Sequence, residues 1–503
     1  MDEEFNKINK INIPTVGKKR IAIYNGFLGQ SERILINGQI VDIPFLENYL
    51  YEDFDIFSML PNSLINRFRA IQDVNLSSVR NPKIQIDIIP MESDQIQKLL
   101  QTKPIASVDN IKGSQQGTFE VPLTRIVPKL ESGKYLLRTN IKGSDSIRQS
   151  LMDLANFTLY TMSPTENFPI GFGRLSILPE NYEGFIIISD IDKTFLNTKF
   201  EDQQGLLETL LERIENKKPV IGMDELFRQL KKLDYPLLFI SASPTFFHRV
   251  LEGVFKRFQI PIEGLFLKKL SEPVANLSSK IFYILNNLNY YINQGFDEMF
   301  HRSIKFLNTT LQSFVDQTAY KLKVLLKIRK MQPSFSKIIL IGDNTESDFL
   351  IFVLYQMLLT ETIPKEEITD FLYNLTFKDK ETISKDNAIQ IQKLVLENLE
   401  IHGKINPVQL CLIHKAYKNP DEKEIYEILE KTLYKNIEIL DKENIKLPIV
   451  YSNMWELSFE LYKKNVIPRK KLKELLDYTL KIQPEEKEKI FIKLRENALQ
   501  NIL

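Results

Sequence analysis

The sequence predicts an α/β protein: a parallel-sheet domain preceded by a small antiparallel β-sandwich and followed by a helical region. Three observations predict it. Short alternating runs of β-branched residues separated by turn signals occupy the N-terminal part. Three continuous apolar runs, Phe185 to Ser189, Leu237 to Ser241 and Lys337 to Ile341, alternate with amphipathic segments, as parallel strands covered on both faces do. Beyond about residue 363 the chain is charged, with apolar residues at helical spacing. A chain of 503 residues exceeds what one hydrophobic core organises. The expected division is 18–165 for the β-rich domain, 180–362 for the parallel-sheet domain with a helical insertion at about 273–315, and 363–503 for the helical region.

In the first domain, Arg20-Ile-Ala-Ile-Tyr24, Arg33-Ile-Leu-Ile36 and Gln39-Ile-Val-Asp-Ile43 read as β-rich runs, and Asn37-Gly38 between the last two predicts a hairpin, because a two-residue Asn-Gly turn supplies the positive φ that a type I′ turn requires. Further strands are expected at Lys83 to Ile89, Gly117 to Ile126, Lys134 to Asn140 and Asn156 to Thr161. In the second, Gly205 to Glu215 and Met223 to Leu233 read as the helices between strands. The segment Leu277 to Leu311, rich in Phe, Tyr and Asn, reads as a helical insertion packing its aromatics into its own core, with a lid over the binding crevice as the alternative. In the third, Asn406-Pro407, Asn419-Pro420, Ser452 and Gln483-Pro484 read as helix starts. Ile425, Ile428, Leu429 and Leu433, and again Leu472, Leu475, Leu476 and Leu480, make apolar stripes.

Composition narrows the function classes. Lys plus Arg number 66 against 65 Asp plus Glu, so no global charge favours nucleic acid or an anionic membrane. The single cysteine, Cys411, excludes internal disulfides and a thiolate metal site; it reads as a small buried hydrophobe on a helix. The N-terminal stretch has neither the basic nor the apolar region of a signal peptide. The apolar run Phe349 to Leu359 is far short of the roughly 20 residues that span a bilayer, so it reads as a core helix. The expectation is a cytoplasmic protein without a transmembrane segment, any membrane contact being peripheral. The four histidines lack ligand spacing, and none is assigned to a metal.

The chemistry is concentrated where the three apolar runs end. The first delivers Asp190 and Asp192 with Thr194 behind them, the second Ser241, and the third Gly342-Asp343 with Asp348 on the following segment. In open α/β sheets the carboxyl ends of the strands form the binding crevice, so these groups converge. Several carboxylates around one point, without His or Cys, favour Mg²⁺, and Mg²⁺ favours phosphate. One carboxylate then attacks phosphorus while a second, two residues along, moves protons.

These residues resemble a known family. Asp190-Ile-Asp-Lys-Thr194, Ser241-Ala-Ser-Pro244 and Gly342-Asp-Asn-Thr-Glu-Ser-Asp348 are similar to the signature of haloacid-dehalogenase-like phosphatases. With Pro219-Val-Ile-Gly-Met223, Tyr320-Lys321, Ile341-Gly-Asp343 and the upstream Tyr24-Asn-Gly26, they resemble the phosphatidate phosphatase catalytic-domain family of the actin-patch-associated type, over roughly residues 18 to 356. The departures are Lys193 for a third acidic residue, Ala242 and Thr245 for Asn and Trp, and Tyr320 for His.

The resemblance implies a haloacid-dehalogenase-like fold and a Mg²⁺-dependent phosphoric monoester hydrolase acting through an aspartyl phosphate on phosphatidate or another lipid phosphate. Asp190 would be nucleophile and metal ligand. Asp192 would be general acid and base, its backbone carbonyl on the metal. Ser241, the backbone at Ala242 and Lys321 would hold the substrate phosphoryl group, with Thr194 bracing the loop beside it. Asp343 would bind the metal, and Asp348 would complete the metal site by orienting a ligating water or Lys321; Lys268, Lys269 and Lys323 are the competing lysines. A soluble phosphomonoester is the alternative substrate, and a non-catalytic lipid-phosphate binding module the alternative function. Neither nucleic-acid binding nor a spanning helix is expected.

Overall fold

The computed structural model describes residues 17–45, 77–78, 81–91, 102–115, 117–141, 168–198, 216–268, 317–345, 347–377, 380–381, 383–416, 421–434, 437–442, 444–497 and 499. The expected strand at Asn156 to Thr161, the helix at Gly205 to Glu215, the aromatic insertion at Leu277 to Leu311 and the Asn419-Pro420 helix start lie outside these residues.

Two antiparallel sheets form the N-terminal part. One pairs β1 (Gly17–Tyr24) with β3 (Leu35–Phe45), and β3 in turn with β4 (Ser77–Ser78) and β7 (Thr118–Pro122). The other runs in the order β2 (Phe27–Gly29), β9 (Phe168–Ile177), β8 (Gly133–Ile141), β5 (Lys83–Pro90), β6 (Ala106–Lys112), antiparallel except for the β2–β9 pair. Inward-facing residues of both, among them Tyr24, Ile36, Ile40, Ile86, Ile88, Leu137 and Leu175, share one core.

The expected Asn37-Gly38 hairpin turn is corrected. Both residues lie within β3, where Gly38 pairs with Tyr24 and Asn37 with Glu120. The glycine serves packing: a Cβ there would lie 2.6 Å from the Phe119 ring. The strand expected at Gly117 to Ile126 also stops early, since Leu123–Ile126 closes into a helical turn after Pro122.

The second part is a six-stranded, wholly parallel sheet in the order β12 (Gly264–Lys268), β11 (Leu237–Pro244), β10 (Phe185–Asp190), β13 (Lys337–Asp343), β16 (Val408–His414), β17 (Pro448–Tyr451). Its strands are buried on both faces, which is why they read as unbroken apolar runs. One face packs on α3 (Gln317–Met331), α4 (Asp348–Leu359), α5 (Ile368–Tyr373), α6 (Lys385–His402) and α7 (Glu422–Leu433). The other packs on α1 (Met223–Lys232), α2 (His248–Arg257), α9 (Met454–Lys463), α10 (Arg469–Ile482) and α11 (Lys487–Glu496). A short hairpin, β14 (Thr376–Phe377) with β15 (Lys380–Glu381), precedes α6, and α8 (Ile437–Lys442) follows α7. Every residue of α4 is buried, as the core-helix reading of Phe349 to Leu359 expects. No helix of the described residues is long and apolar enough to cross a membrane.

The expectation of a purely helical region after residue 363 is corrected as well. That segment supplies β16 and β17, which extend the same sheet, and Cys411 is buried on β16 rather than on a helix. Asn406-Pro407 is not a helix start: the Pro407 carbonyl accepts from the Ile338 N–H at 2.8 Å and leads into β16. The helix expected at Ser452 begins one residue later, with Asn453 accepting from the Glu456 N–H as its cap.

The two parts meet along β2 and β12. The Asn25 carbonyl accepts from the Leu265 N–H at 2.6 Å, and the Gln30 N–H donates to the Met331 carbonyl at 2.8 Å.

Candidate active site

The carboxyl ends of β10 and β13 lie side by side, because Ser189 is paired with Ile341. Asp190 ends β10 and is 4% exposed; Asp343 ends β13 and Asp348 opens α4, and both are fully buried. One carboxylate oxygen from each of the three lies within 4.8 Å of the others. Such a cluster of negative charge is tolerated in a low-dielectric setting only with a counter-charge.

Lys321 supplies part of it. Its Nζ, carried on α3 and buried, donates to Asp190 Oδ1 at 2.8 Å and to Asp348 Oδ1 at 2.5 Å. The remaining oxygens show how the cluster is held. Asp348 Oδ2 accepts from the Asp343 N–H at 3.3 Å, and Asp343 Oδ1 accepts from the Thr345 N–H at 2.6 Å and from the Thr345 hydroxyl. Asp190 Oδ2 and Asp343 Oδ2 are buried and accept no hydrogen bond among the described residues, although each residue has other partners. Gly342 makes the packing possible, since a Cβ there would lie 2.5 Å from Asp348 Oδ2.

Asp192 stands apart from this trio and is half-buried. Its Oδ2 accepts from the Ser241 hydroxyl at 2.9 Å and from the Ser243 hydroxyl at 3.1 Å, while Ser241 Oγ accepts from the Ser243 N–H at 2.9 Å. The second strand therefore holds the second aspartate from the end of β11. Ala242 lies between these serines, half-buried.

The loop from Asp190 to Leu196 is a tight backbone knot. Phe195 and Leu196 N–H both donate to the Ile191 carbonyl, at 2.9 and 2.8 Å, and Lys193 N–H donates to the Leu196 carbonyl at 2.7 Å. Lys193 adopts φ 60°, left-handed backbone that costs an ordinary L-residue about 1–2 kcal/mol. The Thr194 side chain, expected to brace the loop, is fully buried, and its Oγ1 has no hydrogen-bond partner among the described residues. These backbone bonds hold the loop, together with His414, whose Nδ1 lies 2.5 Å from the Lys193 carbonyl oxygen.

Of the competing lysines, Lys323 bonds Asn387 and Gln390, Lys268 ends the edge strand β12, where it is paired with Pro244 of β11, and Lys269 lies outside the described residues. Sequence reasoning missed Ser243, Thr345, His414 and Tyr451. Ser243 carried a signal, standing two residues after Ser241 and so on the same side of the strand end. Tyr451 ends β17, is buried, and its hydroxyl has no hydrogen-bond partner among the described residues. Burial, and then the charges of Asp343 and Asp190, push its phenol well above the ordinary value, so it keeps its proton.

Residues 185–283 match the model of the family described as phosphatidate phosphatase APP1, catalytic domain. The family match begins at β10 and contains Asp190, Asp192, Thr194, Ser241 and Ala242; Lys321, Asp343 and Asp348 lie past its end. No curated protein matches the chain. The family resemblance carried by the motifs and the buried aspartate cluster thus meet at one crevice, reached from opposite sides by matched and unmatched segments.

The donor set fits a hard divalent cation. Three carboxylates, all oxygen, with no His or Cys among them, make a hard-cation donor set, and Lys321 balances only part of their charge.

Proposed function

We propose that this chain is a Mg²⁺-dependent phosphatase that hydrolyses a phosphomonoester through an aspartyl-phosphate intermediate, with phosphatidate or another lipid phosphate as substrate. The observation that carries the proposal is the meeting of Asp190, Lys321, Asp343 and Asp348 at the carboxyl ends of two adjacent parallel strands, with Asp192 held nearby by two serines. The strand order and the crevice position support the haloacid-dehalogenase-like reading of the fold. The matched family supports phosphatidate as the substrate and a phosphoric monoester hydrolase as the enzyme class.

In this reading an Asp190 carboxylate oxygen attacks phosphorus, and the bond to the leaving alkoxide breaks as the Asp192 carboxyl gives that oxygen its proton. Asp192, now ionised, takes a proton from the water that attacks the phosphoaspartate, releasing phosphate and restoring Asp190. Ser241 and Ser243 hold the Asp192 carboxylate through these exchanges and give it a fixed orientation. Lys321 orients Asp190 and offsets the charge that gathers on the phosphoryl oxygens. Asp190, Asp343, Asp348 and the Asp192 carbonyl would hold Mg²⁺, which when bound neutralises phosphoryl charge.

Ala242 and Thr245 stand where the family resemblance expects Asn and Trp, which weakens the transfer of substrate identity, and a soluble phosphomonoester is the second reading. Phosphate release from phosphatidate vesicles and from soluble phosphomonoesters, with Mg²⁺ or EDTA, tests both. Turnover of phosphatidate that needs Mg²⁺ and vanishes in Asp190→Asn is expected. Silence on every substrate would remove the enzyme, activity surviving Asp190→Asn would remove the nucleophile, and turnover of soluble substrates alone would remove the lipid.

A further inference from the structure

We propose that His414 is a positioning residue for the Asp190–Thr194 loop: it pins the Lys193 carbonyl and thereby sets where Asp192 stands relative to Asp190. The inference rests on the phosphatase reading for its kinetic consequence, but the contact itself does not depend on it.

Four observations converge. His414 is the last residue of β16 and is paired with Asp343, so the sheet register brings it to the site from a strand next to the acidic cluster. Its Nδ1 lies 2.5 Å from the Lys193 carbonyl oxygen; a carbonyl only accepts, so Nδ1 carries the proton and donates. Lys193 is the residue between Asp192 and Thr194 with left-handed backbone, which a lysine disfavours and a glycine does not. The residue is held at both ends: its ring packs on Tyr451 with centroids 5.4 Å apart, and its backbone carbonyl accepts from the Asn344 N–H at 3.1 Å. Burial lowers the imidazole pKa against the opposing hydrogen bonds to the Lys193 and Ser452 backbones.

These facts give His414 a task distinct from filling space. Asp192 needs one carboxylate position that serves a leaving oxygen and then a water, and Asp190 is already fixed by Lys321. Ser241 and Ser243 hold the Asp192 carboxyl group, so what remains is the backbone of the loop itself, and its residue with left-handed backbone is the one His414 holds. The C-terminal strands, outside the matched family span, would then contribute to the precision of the site.

The test uses the full chain. His414→Ala is expected to lower kcat by about tenfold with KM within about twofold, since geometry rather than substrate contact is lost. His414→Asn, whose amide keeps a donor close to the Nδ1 position, is expected to recover most of that loss. In a Lys193→Gly background the left-handed backbone is free of strain, so His414→Ala is expected to cost clearly less than it does beside Lys193. Hydrogen exchange followed by mass spectrometry supplies a readout without turnover: the peptide covering Asp190 to Thr198 exchanges faster in His414→Ala and at the native rate in His414→Asn. Equal kinetic losses in the two backgrounds, or unchanged exchange in that peptide, would overturn the proposal. A wild-type chain that releases phosphate from nothing would instead remove the phosphatase reading, leaving hydrogen exchange to decide the His414 contact. Should His414→Ala fail to fold, exchange in His414→Phe, which keeps a ring against Tyr451 but has no donor, decides: faster exchange of that peptide supports the proposal, and native protection there rejects it.

Discussion

Replacing Lys321 by methionine probes the charge balance of the site most directly, because the substitution keeps an unbranched apolar stem one atom shorter and deletes the charge and its donors. Lys321 and its two partners are almost wholly shielded from water, at 4% side-chain exposure for Lys321 and Asp190 and 0% for Asp348. Removing one member of a buried ion pair typically costs 3–5 kcal/mol, since the surviving charge keeps its desolvation penalty. Here one deletion strands two carboxylates next to a third, so the loss should fall at the upper end, about 4–5 kcal/mol. The single tryptophan, Trp455 on α9, packs in the core of the parallel-sheet part, so its fluorescence during urea unfolding reports that part. Adding Asp348→Asn to Lys321→Met removes one of the stranded charges and should recover about half of the stability. It should recover none of the turnover, which Lys321→Met is expected to lower by about 10²–10³-fold through lost stabilisation of the phosphoryl group. Mg²⁺ should raise the unfolding midpoint of Lys321→Met more than that of the wild type, because the variant cluster carries one more net negative charge. An unfolding free energy for Lys321→Met within about 1 kcal/mol of wild type would refute the reasoning, since two buried carboxylates would then need no lysine.

Three further outcomes follow from particular contacts. Gly342→Ala places a Cβ 2.5 Å from Asp348 Oδ2, so Asp348 must move off Lys321; calorimetric Mg²⁺ titration should show weakened binding and kcat should drop by about tenfold or more, whereas wild-type values for both would contradict the packing argument. His402 is held to a pKa of about 3 by burial and then by the positive charges of Arg329 and Arg33, so the folded chain binds fewer protons than the unfolded chain between about pH 6.5 and pH 3. Stability from this residue is therefore complete above that window and is lost as pH falls through it, by up to about 1.4 kcal/mol per pH unit; melts of His402→Gln from pH 7 to 5 should show a shallower decline, and parallel curves would count against it. Asp87, buried against Arg138 at 2.9 Å and bonded by Gln85, Ser107 and Asn140, is the ionic centre of the five-stranded sheet; Asp87→Ala should cost about 3–5 kcal/mol in that sheet, seen as faster hydrogen exchange across β5 and β8, and native exchange there would contradict the assignment.

What could be read from the chain, and what could not, divides along the range of the interactions concerned. The Ile-rich runs before Asp190 and Asp343 and the run ending at Ser241 announce buried parallel strands because both of their faces are covered, so a single short window carries the signal. Asn37-Gly38 misled for the opposite reason. The dipeptide has the chemistry of a tight turn, yet the glycine answers to the Phe119 ring on another strand, and nothing local distinguishes the two demands. Val408 to His414 is another case: seven residues, mostly apolar, are equally compatible with a strand and with two turns of a buried helix. Surrounded by helical stripes, the segment read as helix, and β17, only four residues long, had still less to show.

That misreading bears on the site as well as on the fold. Asp190, Asp192 and Asp343 sit at strand ends marked by their own sequence, so their neighbourhood follows from topology alone. Ser243 and Thr345 act on carboxylates within a few residues or one strand away, and alternation along the strand was enough to find the first. His414 acts on a loop 221 residues distant, and only after β16 is placed beside β13 does its side chain come near Lys193 at all. Recognising the His414 contact therefore required first recognising the strand. A charged, helix-rich segment that seemed an appendage in one dimension supplies in three dimensions two strands of the sheet and the imidazole that closes the loop. The division between a catalytic domain and its C-terminal region does not hold at the level of the side chains, because one hydrogen bond from β16 to Lys193 crosses it.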